Sequence, residues 1–185
     1  MVDTGFIRIF APYLYSVKYD DRTQDEYHRL FDQWNDLDYL IDFFQQNEDL
    51  LKKPIWCKVP VPEAATQQVV KEAAEMEDWL EQLAENCKKN KDDDYDSLFQ
   101  FLNKKRYEKV IDRLPMKSYG YMRPSMIRMY AIKLKSNCYV ITGGGIKLND
   151  AIQDSPDLDH VLHEIDCVRR FMIDNGIIDE NDLIE

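Results

Sequence analysis

Long apolar runs, closely spaced cysteines and a phosphate-loop glycine pattern are all missing from this chain of 185 residues. No stretch approaches the roughly 20 apolar residues that a spanning helix needs. Met1 to Phe10 has one cation and lacks the apolar centre of a secretory leader. A soluble, cytoplasmic protein with no membrane partner is therefore expected. The cysteines Cys57, Cys87, Cys138 and Cys167 form no CxxC pair, which excludes a zinc knuckle and a disulfide framework and leaves reduced, buried thiols. Glycine is scarce at six, and the run Gly143-Gly144-Gly145 lacks the GxxxxGK[ST] arrangement. Its backbone could cradle a phosphate, form a β-bulge, or admit a closely packed neighbour. His163 and Cys167 stand four apart, but with no ligand cluster elsewhere no metal is expected, and no cofactor signature is present. Nucleophilic triads and Rossmann enzymes also lack their signatures.

What is present is enough for a packed domain: 44% hydrophobic and 12% aromatic residues. Tyr13, Tyr15, Val17 and Tyr19 share one parity, a strand pattern, with Pro12 forcing an interruption or an edge. From Gln24 the steps become three and four. Tyr27, Leu30, Phe31, Trp34, Leu37, Ile41 and Phe44 predict one long helix ending near Leu51. KPIWCKVPVP is an extended connector, and Pro62 with Glu63 opens a second amphipathic helix that carries Ala65, Val69, Ala73, Met76, Leu80, Leu83 and Cys87. Arg106 to Leu114 reads as either helix or strand, and Pro115 to Pro124 reads as a loop. IRMYAIKL and CYVITGGGIKL, split by Lys135-Ser136-Asn137, predict an antiparallel hairpin. A last helix runs from after Ser155-Pro156 to Asn175-Gly176, followed by a loosely held acidic tail, Ile177 to Glu185. The expected architecture is one α+β domain over residues 1 to 176, with 21 to 60 a helical insertion and connector.

Charge is distributed unevenly. The chain has 24 Lys+Arg against 35 Asp+Glu, a net charge of −11, which taken whole disfavours a nucleic-acid coat. Residues 104 to 148 nevertheless hold 11 cations and 2 anions, whereas 1 to 103 hold 11 and 22, and 149 to 185 hold 2 and 11. The segment expected to form most of the sheet is thus basic and interleaved with tyrosines, as a phosphate backbone and unstacked bases require. The same cations could instead be neutralised by the acidic helices or by an acidic partner chain.

The hairpin and final helix, IRMYAIKL, then CYVITGGGIKLNDAIQDSP and an amphipathic helix, resemble the C-terminal half of the RelE/ParE toxin superfamily, in particular its HigB-like branch. SLFQFL occupies the place of that family's LFKPL-type segment. The resemblance covers roughly residues 5 to 20 and 60 to 175. It implies a small antiparallel sheet packed with helices, to which the N-terminal helix is an addition. It also implies a toxin of a type II toxin-antitoxin system, a metal-independent, ribosome-dependent mRNA endonuclease held by an antitoxin partner. In such enzymes cations stabilise charge developing on the phosphate, and a side chain moves the ribose proton. By position, Arg128 and Lys147 match the family's arginine and the first of its paired lysines, and Tyr130 shares the strand face of Arg128. Lys117, Arg123, Lys133, Lys104 and Arg106 are candidate nucleic-acid contacts. Leu148 replaces the second lysine, Gly143 the frequent histidine and Gly145 the aromatic. Those departures keep a second reading open, a non-catalytic protein-interaction module on a degenerate fold of this kind.

Overall fold

The alternation in the first strand pair sets the two faces of the sheet. β1 (Thr4–Phe10) and β2 (Leu14–Tyr19) form an antiparallel hairpin around a cis Ala11–Pro12 peptide. Tyr15, Val17 and Tyr19 point to one face and Leu14 to the other. The computed structural model describes residues 4–90, 95–102, 112–118, 123–135, 137–149, 154–155, 158 and 160–183.

The predicted long helix is broken twice, into α1 (Glu26–Asn35), α2 (Leu37–Gln46) and the single turn α3 (Glu48–Leu51). The first break has a local cause. Asp36, at φ −80° and ψ 101°, ends α1, and its carboxylate accepts from Tyr39 N at 3.0 Å to cap α2. The second amphipathic stripe forms α4 (Pro62–Lys89), with Pro62 at its start and Lys88 and Lys89 in its last turn.

Four strands complete the sheet: β3 (Phe99–Phe101), β4 (Leu114–Ser118), β5 (Ile127–Lys133) and β6 (Tyr139–Ile146). The order is β1-β2-β6-β5-β4-β3, with every pairing antiparallel except β2 with β6. The fold is α+β as expected, but its sheet is six-stranded and mixed rather than small and antiparallel. β4 starts at Leu114, the last residue of the stretch that reads as helix or strand, and continues to Ser118 inside the stretch that reads as a loop. Pro115 has no N–H for the ladder, yet its carbonyl accepts from Leu102 N at 3.0 Å. The predicted hairpin is β5 and β6. Its turn carries Asn137 at φ 59°, a backbone that asparagine tolerates well.

Helices cover both faces. Leu30, Trp34, Leu40, Phe44, Val69, Ala73 and Met76 pack with Met116, Ile127, Met129, Tyr139 and Ile141 in the larger core. On the opposite face, α5 (Val161–Asp174) brings Val161, Ile165, Val168 and Met172 against Tyr15, Val17, Tyr130 and Ile132. Ile177 and Leu183 join this second core, and Arg113 Nε donates to the Ile177 carbonyl at 2.6 Å, so the acidic C-terminal segment is anchored. Among the described residues, no helix is long and apolar enough to cross a membrane.

Candidate anion-binding cleft

The β5–β6 register brings the two resemblance-derived cations together. Arg128 pairs with Gly145 and Ile127 with Ile146, and Lys147 N then donates to the Met126 carbonyl at 2.7 Å. Arg128 and Lys147 consequently line one cleft of about 350 Å³ at this end of the sheet. A third cation, Lys53, reaches the same cleft from the connector before α4. Pro54, Ile55 and Trp56 form the wall on Lys53's side, Pro124 and Ser125 form the other, and Leu148 and Asn149 complete the lining. Among the described lining residues none is a carboxylate.

Arg128 is only 9% exposed, and its Nη1 donates to the carbonyls of Ser125 at 2.9 Å and Ile127 at 2.6 Å. These bonds hold the planar guanidinium against the backbone that leads into β5. The same backbone is fixed from below by a buried carboxylate. Glu72 of α4 is inaccessible to solvent and accepts from Ser125 Oγ at 2.7 Å, Met126 N at 2.9 Å, Ile127 N at 3.1 Å and Gln68 Nε2 at 2.8 Å. Burial pushes the Glu72 carboxyl above its ordinary value, with these hydrogen bonds opposing the rise. Glu72 thus anchors the rim of a cationic cleft without lining it.

The other sequence candidates are dispersed. Tyr130 is fully buried in the core beneath α5 and does not line the cleft. Arg123 is exposed and precedes Pro124 through a cis peptide, at the rim. Lys117 sits on β4 opposite Tyr130. Lys133 lies at the far end of β5, about 17 Å along the strand from Arg128 at ~3.4 Å per residue. It pairs there with Asp96 at 2.6 Å beside Phe99, Phe101 and Met116. Lys104 and Arg106 lie outside the described residues.

The glycine run forms part of β6 rather than a loop. A Cβ on Gly144 would stand 2.4 Å from the Arg128 carbonyl oxygen and 3.0 Å from Leu30 Cδ1. The ladder also shifts register between Tyr130 and Ala131, which skips Thr142. Close backbone approach accounts for Gly144, and the bulge falls beside Gly143. His163 Nε2 and Cys167 Sγ are 3.4 Å apart on exposed α5 surface.

A separate ionic cluster joins helices from the two faces of the sheet. Arg22 bonds both Glu26 and Glu164, and Arg29 Nη2 pairs with Glu26 at 2.8 Å. Glu26 is completely buried. Burial raises the Glu164 carboxyl, with Arg22 and then His160 opposing the rise. This cluster ties α1 to α5 over Gly143.

Two contributors are hidden in the sequence. Lys53 and Trp56 sit in a segment that reads only as a connector. Glu72 has a signal: it falls on the apolar stripe, three residues after Val69 and four before Met76, where an isolated carboxylate requires buried donors. No protein-family model, curated protein or solved structure matches the chain.

Proposed function

We propose that the protein is a toxin-like RNA-binding protein of the RelE/HigB kind, acting on RNA through the Arg128–Lys147 cleft and held in check by an antitoxin-like partner. One observation carries this reading: the two cations matched by the resemblance converge on a single cleft. The finer expectations, a ribosome-dependent mRNA endonuclease on a RelE-like sheet, belong to the same proposal. Cations around a phosphodiester lower the cost of the charge that develops as a 2′-hydroxyl attacks. A lysine amine at Lys147 is then the candidate proton carrier.

A second reading, a non-catalytic interaction module, is favoured by the enclosure of Tyr130 and by the commitment of Arg128 Nη1 to two carbonyls. Expression from a tight promoter separates the two. Growth arrest with cleavage of translated mRNA, abolished in an Arg128→Ala, Lys147→Ala double variant that keeps its thermal transition, supports the toxin reading. A copurifying small partner with intact mRNA supports the module. Arrest that persists undiminished in a folded double variant removes these residues from the mechanism.

A further inference from the structure

The thiols of this chain differ in setting. Cys87 and Cys138 are inaccessible in the two cores, and burial pushes the Cys138 thiol up. Cys57 is exposed, but its thiol makes no hydrogen bond among the described residues. Of the four, only Cys167 combines access with a hydrogen-bonded base: it is half-buried on α5, and its Sγ lies 3.4 Å from Nε2 of the exposed His163. Helix geometry makes this pair, since residues four apart face one another. The helix itself is held by Val161, Ile165, Val168 and Met172 in the second core. With the ring proton on Nδ1, Nε2 is free to accept the thiol proton. Arg170, exposed and three residues past Cys167, sets a cation beside the sulfur, whereas Glu164, three residues before it, is bonded by Arg22.

We infer that Cys167 is a modification site at which the thiol, with His163 as its base, exchanges with a low-molecular-weight disulfide that carries a carboxylate. The Sγ proton passes to His163 Nε2 as Sγ attacks one sulfur of the disulfide. A new S–S bond forms, the old one breaks, and the leaving thiolate takes a proton from the imidazolium. Cys167 is thereby oxidised to a mixed disulfide, and the other half of the reagent is reduced to a thiol. The adduct sits three residues from Glu164, beside the tie between α1 and α5. Neither Cys167 nor His163 lines the Arg128–Lys147 cleft, so this site stands independently of the RNA reading.

The test is incubation of the full, reduced chain with glutathione disulfide at pH 7, with adducts at each cysteine followed over time by peptide mass spectrometry. A free thiol is only a few per cent thiolate at pH 7, so a base that takes the proton can speed attack by at most about thirtyfold. Cys167 should react roughly tenfold faster than Cys57, within that ceiling. His163→Gln should slow Cys167 by about the same factor and leave Cys57 unchanged. The difference should close well above the ordinary thiol value of about 8.5, where the sulfur ionises unaided. Arg170→Ala should slow exchange with glutathione disulfide but not with uncharged 2-hydroxyethyl disulfide. Equal rates for the two reagents in wild type and in Arg170→Ala overturn the carboxylate preference. Cys57 reacting as fast as Cys167 in wild type, a comparison that needs no substitution, overturns the proposal. So does a Cys167 rate at pH 7 that His163→Gln leaves unchanged.

Discussion

Replacing Glu72 should separate two roles of a buried carboxylate, acceptor and charge. Glu72→Leu removes the acceptor and leaves the backbone N–H groups of Met126 and Ile127, together with the Ser125 hydroxyl, facing an apolar side chain. Each orphaned buried donor costs about 1–3 kcal/mol, and relief from burying the carboxylate offsets part of the total. A net loss of about 3 kcal/mol follows, a large share of the ~5–15 kcal/mol that holds a typical domain. At ~2–4 °C per kcal/mol for a chain of this size, the transition should fall by roughly 6–12 °C. Glu72→Gln keeps one acceptor oxygen for the backbone and should cost less than about 1 kcal/mol at neutral pH. The two variants also differ in their pH dependence. Burial raises the folded Glu72 value, so the folded state holds this proton more tightly than the unfolded chain does. Its contribution is then fully present below the unfolded value of about 4.3 and is lost as pH rises through the folded value. Glu72→Gln should accordingly gain on wild type as pH rises above about 4. Urea denaturation at several pH values measures this. A Glu72→Gln variant as damaging as Glu72→Leu at neutral pH, with a deficit that widens as pH rises, would refute the argument.

The opposite sign is expected at the start of α1. Asp25 accepts from Tyr27 N at 3.1 Å, His28 N at 3.4 Å and His28 Nδ1 at 2.6 Å. Burial opposes its ionisation, but hydrogen bonds from His28 and Ser16 hold the carboxyl below its usual value. Asp25→Ala should cost ~0.5–2 kcal/mol at neutral pH, and the difference should shrink as pH falls from about 4 through the folded value, read from acid titrations of thermal stability. Gly144→Ala forces β5 and Leu30 away from β6 and should cost about 1–3 kcal/mol or more, read as a lower urea midpoint. Arg22→Ala leaves the buried Glu26 with Arg29 alone. It should destabilise by about 3 kcal/mol, and adding Glu26→Gln should recover part of that loss in a double-mutant cycle.

The parts legible in the sequence are those where periodicity and chain punctuation agree. The alternation at Tyr15, Val17 and Tyr19, the hairpin split at Lys135 to Asn137 and the stripe of α4 each combine a clear period with a defined stop. Asp36 is the counterexample. Its apolar neighbours keep helical spacing across the break, while its side chain offers a competing cap that only the tertiary path of α2 selects. β4 is obscured because Pro115 argues against a central strand, and its partners Phe101 and Lys133 are far away in sequence. At the cleft, Arg128 and Lys147 are marked by the family resemblance, and one hairpin register places both at the same end of the sheet. Lys53 carries no such mark. It arrives through the packing of Trp56 and Leu51 into the main core, a long-range placement that no local pattern encodes. Tyr130 shows the reverse limit. Parity assigns its strand face, but whether that face is open depends on α5 covering it.

The most direct test of the cleft is a titration of the 15N-labelled protein with a short single-stranded RNA, followed by amide and indole chemical shifts. Shifts should concentrate at Lys53, Ile55, the Trp56 indole, Ser125, Arg128, Lys147 and Asn149, and should diminish as salt is raised. Shifts confined to the opposite end of the sheet, around Phe101 and Lys133, or the absence of any shift at low salt, would contradict the assignment of this cleft to RNA.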